Sequence, residues 1–156
     1  MSGDGSTLPE GLGEALVRAA FQRDESSAAL VTASLASPDP RARVLALRAA
    51  HRRGLLTAPR WRAALADADA VVRREGFGLV AHEPPDPALA ADVRTGLDDA
   101  DALVVEAAAF ALGERRDRTA VDDLSRVARH HDDARARESA VAALGAIGDE
   151  RGLAAV

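Results

Sequence analysis

The chain has no cysteine. Disulfides, thiolate zinc sites and cysteine nucleophiles are thereby excluded. It also has no lysine, because all 20 basic residues are arginine. With 37 alanines among 156 residues, this bias points to a GC-rich genome rather than to selection for guanidinium chemistry. Aromatics make up 3 % of the chain, with a single tryptophan, Trp61. The core must therefore be built of Ala, Leu and Val, which suits close helix packing and leaves few aromatic anchors for a ligand. No apolar run approaches the length that spans a bilayer. The first residues, MSGDGSTLP, lack the charged-then-apolar pattern of a secretory signal and are expected to be disordered or left over from cloning. A soluble, cytoplasmic protein is the expectation. The net charge of −5 is uneven: residues 1–60 hold 8 Arg against 6 acids, and residues 61–156 hold 12 against 19. A protein that lives on DNA shows an overall basic face, and this one does not.

What the chain does have is a repeat. Four stretches share one pattern, registered on Val44, Glu75, Glu106 and Glu138, with steps of 31, 31 and 32 residues. A fixed period in this range marks stacked helical units. One place before the register residue stand Arg43, Arg74, Val105 and Arg137, and two places after it Ala46, Phe77, Ala108 and Ala140. An Asp opens each copy (Asp39, Asp69, Asp101, Asp133), suited to accept the free N–H groups of a first helical turn. Gly113 and Gly145 suit the left-handed residue that closes a helix. Asp86, Asp117 and Asp149 then cap a second helix. Each unit is predicted to be a helical hairpin that buries its faces only by stacking on neighbours.

The pattern D-x-x-A/V-R-x-x-A-x-x-A-L-G, followed by G-D, resembles HEAT repeats. It is most similar to the short bacterial variety first named for phycobilisome lyases. The resemblance covers about residues 37–156. It implies an all-α, right-handed superhelix of about five hairpins, over 10–36, 37–66, 67–97, 98–130 and 131–156, in one domain from residue 10. First helices are predicted at 10–23, 41–53, 69–82, 101–112 and 133–144, and second helices at 26–36, 59–66, 88–97 and 118–130. The second helix of the first hairpin is expected to turn Ala29, Leu30, Ala33 and Leu35 inward. The chain ends shortly after Asp149, so Leu153 and Val156 are expected to form an apolar edge open to self-association.

Candidate sites follow from charge. Arg43, Arg74 and Arg137 suggest a ladder of arginine and aspartate between repeats. Residues 41–62 hold seven Arg and no acid. Arg41, Arg48 and Arg52 line one helical face at i, i+7 and i+11, and Arg60 and Arg62 flank Trp61. Such a stripe can hold phosphate, nucleic acid or an acidic protein segment, or be an ordinary solvated face, with Trp61 a packing residue. His51 and His82 stand one repeat apart, but the helix positions where hydroxylases of the HEAT type carry His-Glu pairs read Arg74-Glu75, Val105-Glu106 and Arg137-Glu138. Glu75, Glu106 and Glu138 are too far apart for a catalytic pair, since neighbouring helices lie about 10 Å apart. No catalytic residue, metal or cofactor is assigned.

The expected role is a protein–protein interaction module or scaffold without catalysis. Its partner-binding residues are taken as Arg41, Arg48, Arg52, Arg60, Trp61, Arg62, Arg94 and Arg126, the last ones on second helices that line a concave surface. The resemblance leaves two enzymatic alternatives open, a bilin lyase-like subunit and an alkylpurine DNA glycosylase. Nucleic-acid or phosphate binding through Arg41–Arg62 is a third. The acidic balance speaks against a nucleic-acid partner.

Overall fold

A computed structural model of the chain describes residues 8–84 and 86–153. The tail expected before residue 8, Val156 and the side chain of Leu153 lie outside what is described. Among the described residues the chain is all helix and turn, as the repeat pattern predicts. It divides into two compact units that meet at Thr57 and Ala58, inside the hairpin expected at 37–66.

The first unit holds α1 (Leu12–Ala19), α2 (Glu25–Ser34) and α3 (Pro40–Arg52), each packed on the other two. Its core joins Leu16, Ala19, Val31, Ala46, Ala49 and Ala50. In α2 the inward residues are Ser27, Val31 and Ser34, while Ala29 and Ala33 face solvent. Of the residues expected to face inward, Leu30 and Leu35 do pack against this core, and Ala29 and Ala33 do not. Ser27 is drawn inward because it is part of the helix cap: its N–H donates to Asp24 Oδ1 (2.8 Å) and its hydroxyl to the Asp24 carbonyl (2.9 Å).

The second unit holds α4 (Ala58–Leu65), α5 (Ala70–Val80), α6 (Pro87–Thr95), α7 (Ala102–Glu114), α8 (Val121–His130), α9 (Ala134–Ile147) and α10 (Glu150–Leu153). Single 3-10 turns follow α6 (Gly96–Asp98) and precede α8 (Arg118–Ala120). The helices α5, α7 and α9 stack in succession, and α4, α6, α8 and α10 pack alongside them. Phe77, Val93, Leu97, Val104, Leu112 and Leu124 are fully buried, and Trp61 is 3 % exposed beside buried Ala64 and Leu65.

The caps explain where each unit begins. Asp39, Asp69, Asp101 and Asp133 each accept the N–H two residues on, at 2.8–2.9 Å. Replacing such a cap by Ala costs about 1 kcal/mol. The N–H of each capping Asp in turn donates to the side chain two residues earlier: Ser37, Asp67, Asp99 or His131. Four residues after the cap an arginine reaches back to the same loop. Arg43 donates to the carbonyls of Ser37 and Pro38, Arg73 to those of Asp67 and Ala68, and Arg137 to those of His131 and Asp132.

This geometry corrects the register. The arginine of the second copy is Arg73, not Arg74, so the repeats step by 30, 32 and 32 residues from Asp39 to Asp133. The small buried column then reads Ala46, Gly76, Ala108, Ala140. His51 and His82 cease to be equivalent: His51 lies within α3 and His82 beyond the end of α5. Glu75 likewise leaves the column of Glu106 and Glu138, where Arg74 stands instead.

The helix ends differ from expectation too. Gly113 and Gly145 lie inside α7 and α9. A Cβ on Gly113 would come within 2.8 Å of Ala143 Cα, so this glycine serves the close approach of α7 and α9. The left-handed residues that follow helices are Gly54, Arg116 and Gly148, at φ 67°, 50° and 66°. After α3 the N–H of Gly54 bonds the His51 carbonyl and that of Leu55 the Ala50 carbonyl. Arg116 and Asp117 repeat that arrangement on Gly113 and Leu112, which is the Schellman closure.

Candidate interaction surface

The outward face of the first helices in the second unit is built from columns the core does not use. Val71 and Leu103 stand two places after their caps, Arg74 and Glu106 five places after, and Phe110 nine places after. Leu103 is 40 % and Phe110 45 % exposed, and Val71 on α5 is exposed too. Leu103, Phe110, Arg74, Glu106, Ala107 and Ser139 line a groove of about 290 Å³. At its side the Ser139 hydroxyl donates to the Glu106 carbonyl (3.1 Å) and ties α9 to α7. The His82 ring meets Phe110 edge-on, with centroids 6.3 Å apart. Val71, Leu103 and Phe110 carry no role in the sequence pattern. Their signal was present, as large apolar side chains outside the inward columns.

The predicted arginines fall in two groups, one in each unit. In the first unit, Arg41, Arg48 and Arg52 are exposed along one face of α3. The Arg52 guanidinium lies over the Phe21 ring, 4.6 Å from its centre. In the second unit, Arg60, Trp61 and Arg62 share α4, where the indole is in the core and Arg60 is half-buried. Arg62 bonds Asp92 (2.9 Å) and the Ala88 carbonyl (2.7 Å) on α6. Arg94 donates to the Thr119 hydroxyl (3.0 Å), and Arg126 to Asp98 (2.7 Å). These three guanidiniums thus join successive hairpins while Arg62 and Arg126 stay about half exposed.

Two further arginines act between repeats without having been singled out. Arg53 donates to the Ala19 and Asp24 carbonyls and the Ser27 hydroxyl. Arg115 donates to the carbonyls of Val80, Glu83 and Pro84. Arg73 also grips Asp99 with two parallel bonds of 2.7 and 2.8 Å, both partners being largely buried. The expected arginine–aspartate ladder is therefore mainly one of arginines on backbone carbonyls.

The electrostatics match this division of labour. Hydrogen bonds from the Ser26 hydroxyl and the Ser27 N–H hold the Asp24 carboxyl at about 2. The Arg73 side chain holds Asp99 below the usual carboxylate range. The backbone N–H of Ala136 does the same for Asp133, and Arg151 for Asp149. Each shift favours the ionised form of a cap or an ion-pair partner. Among the described residues no group of three His, Cys, Asp or Glu side chains is placed to hold a metal ion, and no helix is long and apolar enough to cross a membrane.

No curated protein matches the sequence. The model of a family described as HEAT repeats matches residues 90–156, from within α6 onward.

Proposed function

We propose that the chain is a protein-binding module without catalysis of its own. The observation that carries this reading is the exposed pair of Leu103 and Phe110 on α7, lining one groove with Arg74 and Glu106. An apolar strip rimmed by polar groups favours a protein partner over a small charged ligand. The perturbed carboxyls support the same reading. All are pushed toward the ionised form, whereas an acid–base catalyst needs a value near the working pH. The arginines first taken as partner contacts, Arg41, Arg48, Arg52, Arg60, Arg62, Arg94 and Arg126, supply polar groups for such contacts. The burial of Trp61 favours a packing role for it.

The test is capture from a lysate of the source cell, with wild type beside a Leu103→Asp/Phe110→Asp variant whose helical circular dichroism is unchanged. A protein held by wild type and lost from the variant is the expected result. Nucleic acid recovered instead of protein, or a coloured small molecule of the bilin kind, would overturn the reading.

A further inference from the structure

The first unit carries a second surface of different character. On α1, Gly13 and Val17 fall on one stripe, and Phe21 continues it just past the helix end. Facing them on α3 is the stripe Arg41, Leu45, Arg48 and Arg52, at i, i+4, i+7 and i+11. Gly13, Val17 and Leu45, with Glu14 and Arg18, line a groove of about 520 Å³ between the two helices. The missing side chain at Gly13 leaves this groove open, since a Cβ there would sit 3.7 Å from Leu45. Val17 and Phe21 are 54 % and 67 % exposed. The lining is thus largely small and aliphatic, and Arg41, Arg48 and Arg52 stand exposed on the same stripe of α3 as Leu45. Glu14 is the acid on this face, and it stands near Arg18 at 3.9 Å.

We propose that the α1–α3 groove docks an acidic amphipathic helix of a partner protein, with its apolar stripe on Val17 and Leu45 and its carboxylates toward Arg41, Arg48 and Arg52. The charge is complementary, and apolar anchors at helical spacing match a groove between two helices. A single-stranded nucleic acid fits less well. It needs aromatic faces for its bases, and one face of the Phe21 ring is taken by Arg52. The proposal rests on the protein-binding reading above and names a partner chemistry for it.

The probe is a fluorescein-labelled peptide of about four helical turns, with Leu along one stripe and Glu on both flanks. Its anisotropy would be read against the whole chain. Saturable binding in the micromolar range is expected, weakened at least about tenfold by Arg48→Glu/Arg52→Glu and by Val17→Asp. Both sites are exposed, so the variants should keep the wild-type melting curve. Three results would overturn the proposal: no saturation by about 1 mM, equal binding of a peptide with Lys for Glu, or displacement by an oligonucleotide of comparable affinity. The two readings fail separately. A lysate protein captured through Leu103 and Phe110 while the acidic peptide fails to bind removes the groove and leaves the module. Peptide binding that survives Leu103→Asp/Phe110→Asp, with no lysate protein captured, supports the groove alone.

Discussion

Gly113 and Gly145 occupy the same column of adjacent repeats and meet different neighbours. Gly113 packs on Ala143, whereas a Cβ on Gly145 would meet nothing within 4 Å. Gly113→Ala should therefore destabilise by about 1–3 kcal/mol through overpacking. Gly145→Ala should stabilise by about 1 kcal/mol, the ordinary gain of Ala over Gly inside a helix. Urea denaturation of the two variants decides it, and equal effects would refute the packing argument. Arg116 gives a third residue-scale expectation. It holds φ 50° where the equivalent place after α3 has Gly54, so Arg116→Gly should raise stability by roughly 1 kcal/mol. A fall would show that its side chain contributes more than its backbone costs.

Asp99 links a residue to pH. Its folded carboxyl lies below the ordinary value because Arg73 donates to it. A depressed folded value means a contribution that is fully present above the unfolded value of 3.8 and fades as pH falls through the folded one. Wild type should therefore exceed Asp99→Asn in stability at neutral pH, and the gap should shrink below about 4. A gap that stays constant from neutral pH down to strong acid would show that the ionised pair is not its source.

At the scale of the element, the joints between helices are made by guanidiniums on carbonyls. Arg115 bridges from the end of α7 to the last carbonyl of α5 and two carbonyls beyond it. Arg115→Ala should cost about 1–3 kcal/mol by removing the charged donor from these carbonyls, of which Val80's keeps the Glu83 N–H. Arg115→Lys should recover only part of that, because an ammonium lacks the planar fork. Full recovery in chemical denaturation would make the joint a matter of charge alone. These joints also show what could be read from the sequence. The caps Asp39, Asp69, Asp101 and Asp133 were legible because a cap is a bond within two residues. The partners of Arg53 and Arg115 were not, because any residue supplies a carbonyl and these lie about thirty positions away. The register slipped at Arg74 for a related reason. The first copy, from Asp39 to Asp69, is two residues shorter than the next, and adjacent Arg73 and Arg74 offered no local way to choose. Gly113 misled because glycine both ends helices and lets them touch. On the surface, Arg41, Arg48 and Arg52 were visible as a stripe. Leu103 and Phe110 were hidden in an apolar-rich helix until the inward columns were known.

At the scale of the whole molecule, the two units differ in what they bury. The first buries Leu16, Val31, Val44 and Leu47 among alanines, while the second buries Phe77, Leu97, Leu112 and Leu124 together with several valines. Buried apolar area sets the stabilisation at about 25 cal/mol per Å², so the first unit should yield first to denaturant. The position of Trp61 makes this observable. The chain's only indole is enclosed in the second unit, so its emission is a built-in label for that unit alone, while circular dichroism reports every helix. Ellipticity should begin to fall while the fluorescence spectrum is still that of a shielded indole, and the red shift should follow at higher denaturant. Superimposable curves would instead mean that both units melt as one, and the natural label would then serve as a gauge of the entire chain.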